Sequence, residues 1–296
     1  MSGRARPTLL LVALAVVSVA CRDAAGPEPV FSSQRAVYAA FEVGSPGVTL
    51  LAEGLTEHGS SAPLRGAEAT VSGTSGSVAL TEAPSSECFV EPMSPVLVRP
   101  DDACYTGALP QPAGTSEALA LEMMLPDGGR VRGSLVTPGL PVASIPPDSQ
   151  TVTPYWGARH QLDQAPRAIV PITLHSAPGA TRVDIVATVA GVDPSACRID
   201  AWAGPWFAPQ LEGKHDWYLF ERPDCRPGTV IDSSGDWIDL DIHVIAMENN
   251  YAGYMNHMLG NSSIDVTRAG FGLEGAVGVF GATATTVLSL RLLYGP

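Results

Sequence analysis

The chain carries six histidines, His58, His160, His175, His215, His243 and His257. Imidazole titrates near neutrality and ligates metals, so what stands around each ring decides its use. Only His243 and His257 fall in one neighbourhood, with Glu248 between them. Their separation is not the four-residue step of a helical metal pair, so no metal site is assigned. His215-Asp216 could supply two members of a hydrolytic constellation, but no Gly-x-Ser-x-Gly elbow offers the nucleophile. Asp232-Ser233-Ser234-Gly235-Asp236, followed by Asp239 and Asp241, gathers oxygen ligands. Calcium needs six to eight of them, the EF-hand spacing is missing, and Asp-Ser-Ser-Gly is ordinary turn chemistry. No catalytic residue, metal or cofactor is therefore expected, and the chain is not read as an enzyme. What remains is recognition. Trp202, Trp206, Trp217 and Tyr218 crowd between Cys197 and Cys225. Large rings with a polar edge are the usual anchors of binding surfaces, so this loop is the candidate for a sugar or protein partner. The competing reading makes the same rings a lid on the core. Tyr251, Tyr254, Met255 and Met258 sit at helical spacing and read as a packing stripe.

Five cysteines carry the other chemistry. Arg4 and Arg6 precede an apolar run from Leu9 to Ala20, of signal-peptide length and too short to span a bilayer as a helix. The run ends Val17-Ser18-Val19-Ala20-Cys21, which resembles the lipobox of bacterial lipoproteins, with Ser18 where Leu is usual. That resemblance implies lipidation of Cys21 and cleavage just before it. Ordinary cleavage after Ala20 is the alternative. Lipidation would leave Cys88, Cys104, Cys197 and Cys225, an even number that suggests disulfides in an exported chain. Three pairings are possible, and proximity favours Cys88–Cys104 and Cys197–Cys225.

The elements that must hold these residues read as β-structure. The net charge is −13, and removing Arg4 and Arg6 takes it to −15. Lys214 is the only lysine, no basic stripe exists, and nucleic acid is not expected as a partner. Residues 22–34 read as a tether. Short β-type runs follow: Ala36–Val43, Val48–Thr56, Ala67–Ser72, Ser77–Thr81, Glu117–Leu125 and Arg130–Thr137, the last two flanking the hairpin signal Pro126-Asp127-Gly128-Gly129. The Cys88–Cys104 stretch reads as a long loop or irregular hairpin. Pro138, Pro141, Pro146, Pro147 and Pro154 mark a stiff connector with little ladder bonding. Beyond it come Ala168–His175, Arg182–Ala190, the alternating strand Asp236–Met247 and a short helix over Asn249–Leu259. Gly270–Leu293 reads as a glycine-rich hairpin or bulged pair. The expected fold is all-β: two β-sandwich-like domains of the immunoglobulin or fibronectin kind, with at most one or two short helices. Their bounds are 36–140 and 156–296, joined by a linker over 141–155.

Several segments together resemble a lipoprotein family catalogued as domain-of-unknown-function 4249, mostly of Bacteroidetes-like outer membranes. They are the lipobox cysteine, Gly66-Ala67-Glu68-Ala69-Thr70-Val71, Cys104-Tyr105, Leu125-Pro126-Asp127-Gly128-Gly129-Arg130-Val131 with Thr137-Pro138, Tyr251-Ala252-Gly253-Tyr254, and Gly275-Ala276-Val277-Gly278-Val279-Phe280-Gly281. The resemblance implies two β-rich domains, an outer-membrane location and ties to TonB-dependent transporters, and it supplies no catalytic residues. Two function classes follow. One is a lipid-anchored binding or accessory protein serving a transporter or a surface glycan. The other is a structural or adhesive envelope component with no small-molecule ligand.

Overall fold

The computed structural model describes residues 34–55, 61–88, 102–153, 168–220, 223–227, 237–258 and 270–293. Cys21 and the signal segment lie outside the described residues, as do His58, His160 and the Asp232–Asp236 run. In the first half, β1 (Gln34–Glu42), β2 (Gly47–Leu55), β3 (Ser61–Pro63), β4 (Glu68–Gly73), β5 (Gly76–Ala83), β6 (Ala103–Ala108), β7 (Ala118–Met124) and β8 (Arg130–Val136) follow one another. Period-two alternation sets their faces. On β7, Leu119, Leu121 and Met123 are buried while Ala118, Ala120 and Glu122 are exposed. The expected hairpin joins β7 to β8, with Gly128 at φ +80° and the Asp127 carboxylate accepting from the Gly129 N–H at 2.8 Å.

The second half holds β9 (Val142–Ser144), β10 (Thr151–Val152), β11 (Ala168–Ser176), β12 (Arg182–Val189), β13 (Cys197–Arg198), β14 (Ala201–Trp202), β15 (Trp206–Phe207), β16 (Gly213–Leu219), β17 (Asp224–Cys225), β18 (Trp237–Met247), α1 (Asn249–Met258), β19 (Gly270–Phe271), β20 (Leu273–Glu274) and β21 (Val277–Leu293). One large mixed sheet runs β15-β12-β18-β21-β1-β2-β6-β5-β4-β7-β8-β20. A four-stranded sheet has the order β14-β16-β11-β9, and β13 pairs with β17.

Two expectations change. The Gly270–Leu293 region is not a hairpin: β19 and β20 are two-residue strands, and β21 is one strand of 17 residues. Glycine lets β21 lie against β1. At Gly278, φ is +105° and a Cβ would collide with the Val37 carbonyl oxygen, so no L side chain fits there. The loop or irregular hairpin read between Cys88 and Cys104 falls on residues 89–101, outside the described residues; Cys104 itself sits on β6 and opposes Leu51 of β2. The proline-rich connector also carries ladder pairs, β9 with β11 and β10 with β21.

β21 ties the molecule together. Its first residues pair in parallel with β1, and its residues from Thr283 onward pair antiparallel with β18. Phe280 and Ala282 belong to the first hydrophobic cluster, with Leu50, Tyr105, Leu121 and Val131. Ala284, Leu290 and Leu292 belong to the second, with Ile172, Trp217, Ile238 and Leu240. On its other face, Val279 meets Tyr251, Tyr254 and Met255 of α1, while Met258 is exposed.

The start of α1 is fixed by Glu248. Its carboxylate accepts the backbone N–H groups of Asn250 (2.6 Å), Tyr251 (2.8 Å) and Ala282 (3.2 Å), capping the helix and fastening it to β21. Burial pushes this carboxyl above its ordinary value, against the pull of those three donors. The far side of α1 is fastened by a buried ion pair. Arg182 and Asp184, two apart on β12 and so on one face, make two bonds of 2.7 Å, and Arg182 also donates to the Asn256 side-chain oxygen at 2.6 Å.

Candidate functional site

The aromatic residues picked out between Cys197 and Cys225 separate into two sets. β16 alternates, so Trp217 and Leu219 point into the second cluster while Lys214, Asp216 and Tyr218 point outward. Trp217 is 1% exposed, packed as core. Trp206, on β15, is also buried, with the His215 ring stacked on it at 3.8 Å. Trp202 is different: it is 57% exposed and lies beside Tyr218, ring centroids 6.1 Å apart and planes 25° from parallel.

The register explains this surface pair. Trp202 of β14 opposes Tyr218 of β16, and Tyr218 opposes Ile169 of β11. Ile169 is 52% exposed. The three side chains therefore form one row across three strands on the outer face of the four-stranded sheet. Gly204 lies against the edge of the Trp202 indole, where a Cβ would approach the ring to 3.2 Å. The next outward position on β16 is Asp216, whose carboxylate is 3.5 Å from the Tyr218 hydroxyl, opposite Pro171 of β11. The one after it is Lys214, opposite Thr173, which in turn opposes Ser144 of β9. The Ser144 hydroxyl and the His175 ring are 2.9 Å apart. An apolar row flanked by a carboxylate, an ammonium and hydroxyls is a surface that can hold a flat apolar face and hydrogen-bond its rim.

Both disulfides form. Cys197–Cys225 joins β13 to β17 and brackets the segment carrying Trp202 and Tyr218, and Cys88–Cys104 lies buried against Leu51. The pairing is the one that proximity favours.

The remaining singled-out residues do not converge. His215 and Asp216 leave β16 on opposite faces, and the His215 ring bonds the Leu211 carbonyl at 2.8 Å. His243 meets the Thr188 hydroxyl at 2.9 Å, His257 lies near Phe271, and Glu248 caps α1. Asp239 is engaged by Arg291 at 2.7 and 2.9 Å, which holds its carboxyl below the ordinary range. Among the described residues no three His, Cys, Asp or Glu side chains gather as metal ligands.

A second concave surface was not legible in the sequence. A cleft of about 800 Å³ crosses the outer face of β7 and β8 and ends against the start of α1, with Ala118, Ala120, Ser134, Val136, Asn249 and Asn250 among its lining. The Asn250 side chain donates to the Ser134 and Phe280 carbonyls at 2.9 and 3.1 Å, so it fixes the wall. Small residues alternating along two strands make this floor, a pattern indistinguishable in sequence from any exposed strand face.

No protein-family model matches the chain, and comparison with curated proteins returns no match.

Proposed function

We propose that the protein is a non-catalytic binding protein of the cell envelope, lipid-anchored through Cys21, and that it binds through the outer face of the four-stranded sheet. The observation that carries this is the exposed Trp202 ring, set beside Tyr218 and Ile169 in one row. A large ring left in water at more than half exposure gives up burial that a core position would provide. Two disulfides, in a chain with an apolar run leading to Ala20-Cys21, support an extracytoplasmic setting. Acyl chains on Cys21 would hold the protein at the membrane stably only if two or more are attached. The two hydrophobic clusters support a finer reading as two sandwich-like units that share β21. Partnership with an outer-membrane transporter is one form the binding role could take.

The test is retention on native envelope material. The full-length protein and its Trp202→Ala variant are made in an exporting bacterium, the mature N-terminus is weighed by mass spectrometry, and detergent extracts are compared for co-purifying components. A diacylated Cys21 and a component lost with Trp202→Ala are expected. An unmodified Cys21 removes the anchor. Equal recovery of that component with both proteins removes the binding surface.

A second reading, a structural or adhesive component without a small ligand, is favoured by the burial of Trp206 and Trp217. Those rings stabilise the second core whatever the outer face does.

A further inference from the structure

We infer that the row Trp202–Tyr218–Ile169 is a subsite for a neutral pyranose oligosaccharide, lying across the strands with its hydroxyl rim toward Asp216. This rests on the proposed binding role and names its ligand class. Adjacent strands are about 4.8 Å apart, so a row over β14, β16 and β11 is roughly 10 Å long, room for more than one sugar ring. Asp216 lies two residues along β16 from Tyr218, about 7 Å to one side of the row, where it faces the edge of whatever rests on the rings.

The chemistry around the row selects the ligand. A pyranose offers an apolar C–H face and hydroxyls on its rim, matching aromatic rings bordered by a carboxylate that accepts and a lysine that donates. Lys214, the only lysine in the chain, stands on this face, two outward positions from Tyr218. From Cys197 to Cys225 five carboxylates (Asp200, Glu212, Asp216, Glu221, Asp224) outnumber Arg198, Lys214 and Arg222. With the whole chain at −13, that surplus repels an acidic polysaccharide and an anionic lipid surface. The apolar side chains of a hydrophobic peptide would cover the rings but bring Asp216 no donor beyond the Tyr218 hydroxyl, 3.5 Å away. The contact area is small, so affinity must grow with the number of sugars until the row is filled.

The experiment uses the disulfide-bonded mature protein and a panel of neutral β-linked oligosaccharides of glucose, mannose, galactose and xylose, one to four sugars long. A polyuronate and phosphatidylglycerol vesicles serve as anionic probes. Binding is read by tryptophan fluorescence and calorimetry. At least one neutral series should bind, tightening from one to three sugars. Trp202→Ala should weaken it about tenfold, the worth of a stacked ring, and Asp216→Ala about tenfold or more, the worth of hydrogen bonds to a charged acceptor. Far-UV circular dichroism matching the parent excludes misfolding of either variant. The inference is overturned if no neutral series binds, if affinity does not depend on length, if Asp216→Ala binds like the parent, or if the polyuronate or vesicles bind more tightly. Loss of the co-purifying envelope component in Trp202→Ala without binding to any neutral oligosaccharide would sink the ligand class and leave the binding role standing. Unchanged co-purification of that component with the variant would sink the role itself.

Discussion

Replacing Asp184 by alanine tests the tie between α1 and the second cluster. Arg182 is 2% exposed, and its guanidinium makes two 2.7 Å bonds to Asp184, one of 2.6 Å to Asn256, and lies 5.7 Å from the Phe207 ring centroid. Removing the carboxylate leaves a buried cation with a neutral amide and a ring as its remaining partners. Breaking a buried pair in this way costs about 3–5 kcal/mol, mainly because the stranded charge cannot regain water. For a chain of this size each kcal/mol lowers Tm by roughly 2–4 °C, so a fall of roughly 6–20 °C is expected. The control is Asp127→Ala, which breaks the Arg35–Asp127 pair at the surface, where both side chains reach solvent. That loss should be small and shrink in salt. Urea unfolding followed by tryptophan fluorescence measures both, with the denaturant slope checked for constancy. Joint replacement, Arg182→Met with Asp184→Leu, should recover most of the loss, because no charge is then stranded. An Asp184→Ala cost under 1 kcal/mol, or one as salt-sensitive as the control, would mean Arg182 is hydrated and the reasoning is wrong.

Other expectations follow from the same geometry. Trp217→Ala should cost about 3–5 kcal/mol by opening a cavity in the second cluster, while Trp202→Ala should change stability by less than about 1 kcal/mol, both read from urea midpoints. Glu117 accepts from the Gly114 N–H at 2.7 Å and from the Thr74 N–H and hydroxyl at 2.8 Å each, bonds that lower its carboxyl below the ordinary range, Gly114 first among them. Its stabilising contribution is present above the unfolded value of about 4.3 and disappears as pH falls through the folded one, so the gap between wild type and Glu117→Gln should hold above about 4.3 and narrow progressively as pH falls below it. Glu248 runs the other way: burial raises its folded value, so stability falls as pH rises through the window above about 4.3. Glu248→Gln should therefore look less harmful relative to wild type at pH 8 than at pH 4, and a constant difference would refute the burial argument. Gly278→Ala should abolish the compact state, because the new Cβ strikes the Val37 backbone where β21 docks on β1; a native-like near-UV spectrum would contradict it.

Local pattern was legible in the chain. Alternation of Ile238, Leu240, Ile242 and Val244 against Asp239, Asp241 and His243 marked β18, whose buried and half-exposed positions follow it. Pro126-Asp127-Gly128-Gly129 marked the β7–β8 turn, since glycine supplies the positive φ that the turn requires. Cysteine proximity favoured the two disulfides that form. Tyr251, Tyr254 and Met255 packed as their helical spacing implied. These succeeded because each depends on neighbours a few residues away.

The failures share the opposite cause. Gly270–Leu293 looked like a hairpin because glycine usually interrupts strands, yet Gly278 serves a strand that needs close backbone approach to a segment far off in sequence. Arg182 and Asp184 gave no sign of being buried together, since two charges on one strand face normally read as solvent-exposed. The aromatic loop was visible as a cluster, but which rings met water was not. Trp217 and Tyr218 are adjacent in sequence and face opposite ways, and Trp202 joins Tyr218 only through the pairing of β14 with β16. The sequence alone determined the strand periods, the turn chemistry and the candidate aromatic residues, because these are set by local sterics and side-chain alternation. Only the tertiary structure decided that β21 serves both clusters and that Trp202, Tyr218 and Ile169 make one exposed row, because strand order and register depend on long-range pairing that local residue patterns do not fix.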